Sequence, residues 1–335
     1  MRAIISRTSG GPGTLTVEDL PEPVPGPEQV LVEVRAVGVN YPDALVIEDR
    51  YQIKPPRPFS PGGELSGVVR SLGSQAKRFS VGDRVIAAPG WGGMAEFIAV
   101  DEARCQAIPH SMPFDEAAAF LATYGTAHHA LHARAGLKSG ETLLVLGAAG
   151  GIGAAAVELG KAHGAIVVAA ASSQDKVAFA LACGADRAVV YPADLADGPA
   201  QRELAATLRN ACNGAADVVL DPIGGPYAEP ALRALGWRGR YLVVGFTAGI
   251  PRPPLNLALL KEASILGVVW GAWVERDPVA YRAQLAALME MHAAGRIRPR
   301  ISARFPLERA ADGIRTVGER RALGKVVVTV GGERP

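Results

Sequence analysis

A glycine-rich turn at residues 147–153, GAAGGIG, has the residue types of a dinucleotide-binding loop. Ala148 stands where the first glycine of that fingerprint usually stands, and Gly150 and Gly153 follow at the fingerprint spacing. Gly150 lets the backbone approach a pyrophosphate, and Gly153 lets a helix pack closely on a strand. The helix N-terminus adds N–H donors and a positive dipole end. The alternative is a packing turn rich in alanine and glycine. A β-favouring run before the turn and a helix-favouring run after it favour the dinucleotide.

The end of the next β-like run distinguishes NAD from NADP. An NAD site places Asp or Glu there, about 20 residues after the glycines, to bind the ribose hydroxyls. This chain has Ser172 and Ser173 at that point, and Lys176 follows one helical turn later. Hydroxyls and a cation suit a 2′-phosphate, so the sequence favours NADPH. The competing acid is Asp175, which also fits a capping box with Ser172 at the start of the next helix.

Strand-like and helix-like runs alternate around and after this turn. The predicted strands are Thr142–Leu146, Ile166–Ala171, Arg187–Tyr191, Asp217–Leu220, Arg240–Val244 and Ile265–Trp270. The predicted helices between them are Gly151–His163, Gln174–Cys183, Gln201–Cys212 and Pro226–Leu235. Continuous apolar strands separated by helices indicate βαβ units and a parallel sheet that is buried on both faces.

The residues on either side of this region predict a second domain. Short β-like runs separated by Pro- and Gly-containing turns predict an antiparallel β domain or partly open barrel at residues 29–39, 63–73, 83–88 and 95–100. A helix is predicted over Phe114–Ala135, and a final strand over Lys325–Val330 rejoins the β domain in our interpretation. We place the β domain at 1–121 and 257–335, and the nucleotide-binding domain at 122–256.

Composition excludes several classes of protein. A chain of 335 residues is long enough for two domains, and a net charge of +2 without long basic runs argues against nucleic-acid binding. The uncharged run Thr142–Val157 is too short for a membrane span, which needs about 20 apolar residues. The first residues lack the apolar segment of a signal peptide. Three widely separated cysteines predict neither a disulfide framework nor a structural zinc lobe. We therefore expect a cytoplasmic protein.

Several motifs together resemble a known family. They are VGVNYPDALV (Val37–Val46), PFSPGGELSGVV (Pro58–Val69), VGDRV (Val81–Val85), GGMAEF (Gly92–Phe97), GAAGGIG, DPIGG (Asp221–Gly225) and ALGKVVV (Ala322–Val328). In order and spacing, the whole chain resembles the zinc-free quinone oxidoreductase branch of the medium-chain dehydrogenase/reductase superfamily. The resemblance implies an α/β protein, in which a Rossmann domain with a doubly wound parallel sheet is inserted into a GroES-like β domain. It also implies a homodimer that pairs the edge strands of the Rossmann sheets at Ser264–Gly271.

The resemblance also implies that no metal takes part. Zinc-dependent relatives have a cysteine where this chain has Asn40, and a His–Glu pair where it has Gly63 and Glu64. A catalytic zinc needs three protein ligands, and we predict none here. His128 and His132 are one helical turn apart, which would suit a metal, but we favour a solvated or interfacial helix face.

The resemblance assigns roles to particular residues. Asn40 and Tyr51 are the expected catalytic residues near the nicotinamide, where an amide and a phenol can donate hydrogen bonds. Asp43 has two possible roles, either a turn or structural hydrogen bond within NYPD or catalysis, and we favour the first. Two roles are possible for Trp270 and Trp273. They could stack on a flat ring of the substrate, or they could pack in the core or at an interface. The expected cofactor-binding residues are Thr126, Ala149, Gly150, Gly151, Ile152, Gly153, Ser172, Lys176, Tyr191, Gly245, Phe246, Val268, Val269, Trp270 and Lys325.

A site without zinc favours particular substrates. Reduction of a simple ketone concentrates charge on an alkoxide and calls for a Lewis acid or strong proton donor. Reduction of a quinone or of an alkene conjugated to a carbonyl spreads the charge, so a few hydrogen-bond donors suffice. We therefore expect an NADPH-dependent oxidoreductase that acts on such small molecules. The alternatives are an enoyl-CoA (acryloyl-CoA-type) reductase and a low-turnover NADPH-binding sensor, structural or RNA-binding protein.

Overall fold

The computed structural model describes residues 1–195 and 198–331. Its strands in chain order are β1 Arg2–Ile5, β2 Thr16–Asp19, β3 Gln29–Val39, β4 Glu64–Leu72, β5 Arg84–Ala87, β6 Phe97–Asp101, β7 Cys105–Ala107, β8 Thr142–Leu146, β9 Ile166–Ala171, β10 Arg187–Val190, β11 Ala216–Asp221, β12 Leu235–Val243, β13 Ser264–Gly267, β14 Ile301–Pro306 and β15 Lys325–Thr329. Its α-helices are α1 Tyr41–Ile47, α2 Phe114–Ala118, α3 Thr126–His128, α4 Gly151–Ala162, α5 Gln174–Ala182, α6 Pro199–Ala211, α7 Ala228–Ala234, α8 Asn256–Leu260, α9 Trp270–Arg276, α10 Pro278–Ala293 and α11 Ala310–Gly318.

The chain divides into two compact units. Unit 1 comprises Met1–Ala122 and Pro299–Pro335, and unit 2 comprises Thr123–Arg298. The expected return to the β domain at residue 257 is therefore wrong, because β13 extends the sheet of unit 2 beside β12. The last four residues of that expected range lie outside the described residues. In the described part of the chain, no helix is long and apolar enough to cross a membrane.

Unit 2 is a doubly wound α/β structure. Its sheet has the order β10-β9-β8-β11-β12-β13, and every pairing is parallel. Numbered from β8, this is the order 3-2-1-4-5-6 of the Rossmann fold. The strands are continuously apolar because helices cover both faces, and Leu144, Val168 and Val219 have no exposed surface. At Gly160, α4 packs so closely on the sheet that a Cβ would lie 2.8 Å from a methyl of Leu143. The predicted fold class is confirmed.

Unit 1 is built around the long central strand β3. Its sheet has the order β14-β15-β3-β4-β5-β7, and β6 also pairs with β3. The C-terminal strand β15 pairs antiparallel with β3, and the sheet joins the two distant parts of the chain in this way. Val32, Val37, Leu65, Val326 and Val328 form part of its buried core. The interpretation that the final strand rejoins the β domain is confirmed.

Three local structures differ from the sequence-based expectations. The predicted strand Ile265–Trp270 ends at Gly267, and the chain turns into α9 at Trp270. The predicted helix Phe114–Ala135 contains wide π-type turns at Leu121–Gly125 and His129–Arg134. NYPD does not form a separate turn but begins α1, because a proline occupies the first helical turn. The structural hydrogen bond expected for Asp43 is present, since Asn40 and Asp43 form a capping box.

Candidate active site

The turn between β8 and α4 requires glycine at two positions for different reasons. Gly147 has a φ of +58°, in the left-handed region that favours glycine. At Gly153, a Cβ would lie 2.2 Å from the Gly147 carbonyl oxygen. Only glycine therefore lets α4 begin this close to the end of β8.

Gly150 leaves open space at the start of α4. A Cβ at this position would contact only the Gly147 carbonyl oxygen, at 3.4 Å. Gly150 is the N-cap of α4, and no side chain caps the helix there. The N–H groups of Gly151, Ile152 and Gly153 belong to the first helical turn, which lacks intrahelical acceptors. This uncapped, uncrowded N-terminus fits the pyrophosphate of a dinucleotide.

Ser172 and Lys176 lie together at the carboxyl end of β9. The Lys176 ammonium donates to the Ser172 hydroxyl at 3.2 Å. Ser173 is the N-cap of α5, and its hydroxyl accepts the N–H of Lys176. The expected capping box between Ser172 and Asp175 is therefore wrong, since the helix is capped one residue later. Asp175 is exposed in the first turn of α5.

Other expected cofactor-facing residues follow the ends of β12 and β13. Gly245 and Phe246 come after β12, and Phe246 is 46% exposed. Val268, Val269 and Trp270 come after β13, with Val268 buried and Val269 exposed. The carboxyl ends of parallel strands share one edge of a sheet, where ligands bind at the point at which the strand order reverses. That point lies between β8 and β11, so these residues are on the same sheet edge as the glycine turn.

Thr126 and Tyr191 have different surroundings. Thr126 begins α3 and is half-buried. Tyr191 follows β10, belongs to the buried core of unit 2, and has its ring 4.9 Å from that of Tyr227. Packing is the role that the structure gives to the Tyr191 ring. Its expected place near the adenosine phosphate stays a prediction.

Asn40 lies at the centre of a polar cluster in unit 1. Its backbone N–H donates to Asp43 at 2.7 Å. Its side-chain amide donates to Glu64 Oε1 at 2.9 Å and to the Gly38 carbonyl at 3.2 Å. Its amide oxygen accepts from the Lys325 ammonium at 2.8 Å. These contacts fix which end of the amide is oxygen and which is nitrogen.

Lys325 has partners inside unit 1. Its ammonium donates to Glu64 Oε1 at 2.6 Å, to Asn40, and to the Val39 carbonyl at 3.2 Å. Both charged side chains are about 4% exposed. Three acceptors match the three donors of an ammonium. The expected contact of Lys325 with the cofactor is therefore replaced by a buried ion pair, because Glu64 neutralises the ammonium. The other Glu64 oxygen accepts the N–H of Ala122 at 2.9 Å.

Burial changes the proton affinity of two groups beside this cluster. The Asp43 carboxylate accepts N–H groups of Asn40 and Gly62, but burial still raises the pKa of Asp43 to about 6. Burial and the Asp43 charge raise the pKa of Tyr51. Tyr51 therefore keeps its phenolic proton at neutral pH and can donate a hydrogen bond. Its ring packs against the core of unit 1.

Three of the histidines, His128, His132 and His163, contact one another in unit 2. The His128 and His132 ring centroids are 4.2 Å apart, and those of His132 and His163 are 4.6 Å apart. Throughout residues 1–195 and 198–331, no group of three or more His, Cys, Asp or Glu side chains is arranged to hold a metal ion. The His128 and His132 rings are tilted against each other, and the His132 and His163 rings meet edge-on.

Comparison with known proteins assigns both parts of the chain. Residues 26–110 match the family model for the alcohol dehydrogenase GroES-like domain, and residues 151–290 match that for zinc-binding dehydrogenase. Quinone oxidoreductase-like protein 2 of Mus musculus is 36% identical over 320 residues, which are 94% of this chain and 89% of that protein. The chain belongs to the quinone oxidoreductase branch of the medium-chain dehydrogenase/reductase superfamily.

Solved structures share the fold over the whole chain. A mycobacterial protein solved with NADPH has a TM-score of 0.89 and 27% identity, and the alignment covers 98% of this chain and 99% of that one. A protein described as an NAD-dependent alcohol dehydrogenase has a TM-score of 0.87 and 32% identity, over 99% of this chain and 100% of that one. The fold and the oxidoreductase class of this branch are therefore shared among proteins described with different cofactors.

Sequence reasoning missed one carboxylate at the edge of the sheet. Asp221 ends β11, accepts the N–H groups of Ile223 and Gly224, and accepts the hydroxyl of Tyr241. Burial raises the pKa of Asp221. Asp221 holds the DPIGG turn beside the glycine turn, and this turn was noted only as a motif of the branch. The signal was an acid at the end of an apolar strand, followed by two glycines.

Proposed function

We propose that this protein is an NADPH-dependent oxidoreductase that transfers hydride to a quinone or another α,β-unsaturated carbonyl without zinc. The observation that carries the proposal is the Asn40–Glu64–Lys325 cluster. Asn40 and Gly63 offer no thiolate or imidazole, and the remaining acid, Glu64, is bonded to an ammonium. Zinc requires three anionic or imidazole ligands around an open position, and this donor set does not fit it.

The cofactor half of the proposal rests on unit 2. The N-terminus of α4 would hold the pyrophosphate, and Ser172 with Lys176 would hold the 2′-phosphate. The mycobacterial structure solved with NADPH supports this choice. When bound, the nicotinamide supplies the hydride, and the chain supplies position and electrostatics.

Asn40 and Tyr51 are the residues that we assign to the acceptor. Asn40 would exchange its longer bond, the 3.2 Å contact with Gly38, for one to the acceptor oxygen. Lys325 on the amide oxygen polarises the amide and makes its N–H a stronger donor. Tyr51 would add a neutral donor. Two such donors suit charge that is spread over an enolate or hydroquinone.

We also propose that the protein works as a cytoplasmic homodimer. The edge strand β13 carries Ile265, which is 40% exposed, and Leu259 and Leu260 on α8 are 80% and 67% exposed. An exposed apolar strand edge is a template for pairing with a second copy. The three cysteines are buried thiols, as is usual in a reducing compartment.

The test is steady-state oxidation of NADPH by chelator-treated protein with a panel of quinones, enones and enoyl-CoA thioesters. We expect metal-free turnover with quinones or enones, and a lower KM for NADPH than for NADH. Turnover that needs stoichiometric zinc would contradict the proposal. A preference for enoyl-CoA thioesters would favour the enoyl-CoA reductase, and NADPH binding without turnover would favour the sensor.

A further inference from the structure

Gln284 on α10 is a buried polar side chain whose partners lie on other elements of unit 2. It is 6% exposed. Its nitrogen donates to the Gly125 carbonyl at 3.1 Å and lies 3.2 Å from His128 Nδ1. Its oxygen accepts the indole N–H of Trp270 at 2.8 Å. A buried amide with this many partners joins the segments that carry them.

Elementary hydrogen-bond chemistry fixes the orientation of the Gln284 amide. An indole N–H can only donate, so its partner must be the amide oxygen. The amide nitrogen then faces Gly125 and His128, where it can only donate. His128 Nδ1 must therefore accept, and the proton of the neutral His128 ring lies on Nε2. A protonated His128 would present an N–H to the amide nitrogen, and the amide could keep this contact only by turning its oxygen from Trp270 to His128.

Trp270 lies where the proposed cofactor site begins. It is the first residue of α9, just beyond the carboxyl end of β13. Its ring covers Gly125 so closely that a Cβ there would lie 2.6 Å from the indole. Gly125 directly precedes Thr126, which, like Trp270, is one of the residues that we expect to face the cofactor. The Tyr281 ring meets the indole edge-on with centroids 6.0 Å apart.

We propose that Gln284 is a positioning residue, which holds Trp270 against the Gly125–Thr126 backbone and does so only while His128 is neutral. The proposal rests on the proposed function in one respect, namely that Trp270 and Thr126 contact the cofactor. Gln284 acts through Trp270 and does not touch the cofactor in this proposal. The three hydrogen bonds of the Gln284 amide connect α10 to Trp270, Gly125 and His128.

The groups around His128 favour its neutral form. His132 and His129 lie on its own helical segment, and His163 approaches from α4 through His132. Burial and these three imidazoles lower the pKa of His128 to about 4. The bond from Gln284 therefore persists at neutral pH and is lost in acid.

Two variants separate the bond from the packing. Gln284→Met keeps the length of the side chain and removes its hydrogen bonds. We expect its dissociation constant for NADPH to rise about threefold to tenfold, as for a lost neutral hydrogen bond, and the Trp270 emission to shift. Gln284→Glu keeps an acceptor for Trp270 and places a carboxylate at His128. Gln284→Glu should therefore show the Trp270 emission of the wild type once His128 is protonated. It should also raise the pKa of His128 by about 1–3 units.

The measurements are a ¹⁵N NMR titration of the His128 ring and tryptophan emission, with Trp270→Phe in each background to isolate Trp270. Gln201→Met, which removes the bond from Gln201 on α6 to the Pro226 backbone carbonyl, is the control. An Nδ1-protonated His128 in the wild type, or a His128 pKa unchanged by Gln284→Glu, would overturn the proposal. These two readouts need no turnover. If both readouts give the expected results but the wild type does not bind NADPH, the proposed function is wrong. The part of this proposal in which Trp270 and Thr126 contact the cofactor is then wrong as well.

Discussion

Replacement of Lys176 by methionine tests the cofactor choice most directly. In the free protein the Lys176 ammonium donates to Ser172 at the end of β9, where an NAD site would have an acid. A 2′-phosphate at this point would accept from both groups. Lys176→Met keeps most of the aliphatic side chain and removes the charge, so it should weaken NADPH binding and leave NADH binding almost unchanged.

The expected size of the effect follows from the contact. Loss of a hydrogen bond to a charged group costs about 1.5–3 kcal/mol. The side chain is half-buried and partly screened by solvent, so the lower half of this range applies. The dissociation constant for NADPH should therefore rise about 10- to 40-fold, at 1.4 kcal/mol per factor of ten. The effect should shrink as the salt concentration rises.

Fluorescence titration of both cofactors at two ionic strengths measures these changes. Asp175→Asn is the matched control one residue earlier, since the exposed Asp175 carboxylate is the competing candidate for the ribose hydroxyls. It should leave NADPH binding unchanged or slightly improve it. Equal weakening of NADH and NADPH by Lys176→Met, or selective loss of NADH binding in Asp175→Asn, would refute the assignment of Lys176 to the 2′-phosphate.

Four further substitutions test unit 1 and the edge strand. Lys325→Met leaves the buried Glu64 charge unpaired and should destabilise unit 1 by about 3–5 kcal/mol. Hydrogen exchange of β3 and β15 measures this loss, and the control Arg7→Met, at an exposed position, should change the stability little. Ile265→Lys should give monomers in light scattering, and a dimer that persists would exclude β13 as the interface. Asn40→Ala and Tyr51→Phe should lower kcat more than they weaken NADPH binding, and wild-type turnover in both would remove them from the site.

The parallel sheet was predictable because its signals are local. The strands Thr142–Leu146 and Ile166–Ala171 have the predicted bounds, since each apolar run ends at a turn residue or a change of pattern. The end of β13 was not predictable in this way. The apolar residues continue from Ile265 through Trp270, so composition does not show that the chain leaves the sheet after Gly267.

The polar clusters were beyond sequence reasoning for a different reason. Glu64 and Lys325 are 261 residues apart, and Gln284 and His128 are 156 apart. Each pair is made by the fold, and neither partner has a local pattern that points to the other. A lysine in the C-terminal strand was assigned to the cofactor from the resemblance, whereas the pairing of β15 with β3 places its ammonium against Asn40.

In the proposed active site, the buried ion pair determines which chemistry is left to Asn40 and Tyr51. The charges of Glu64 and Lys325 neutralise each other, and the contacts with Asn40 and Val39 use the remaining donors of the ammonium. Neither group then brings a free charge to a ligand. The donors that remain are an oriented amide and a phenol whose pKa is raised, and both are neutral at pH 7. Neutral donors stabilise a concentrated alkoxide poorly compared with a metal, but they suffice for charge that conjugation has already spread. On this reasoning, the proposed preference for conjugated acceptors follows from the Glu64–Lys325 pair, and we expect a simple ketone to be a poor substrate with any nicotinamide cofactor.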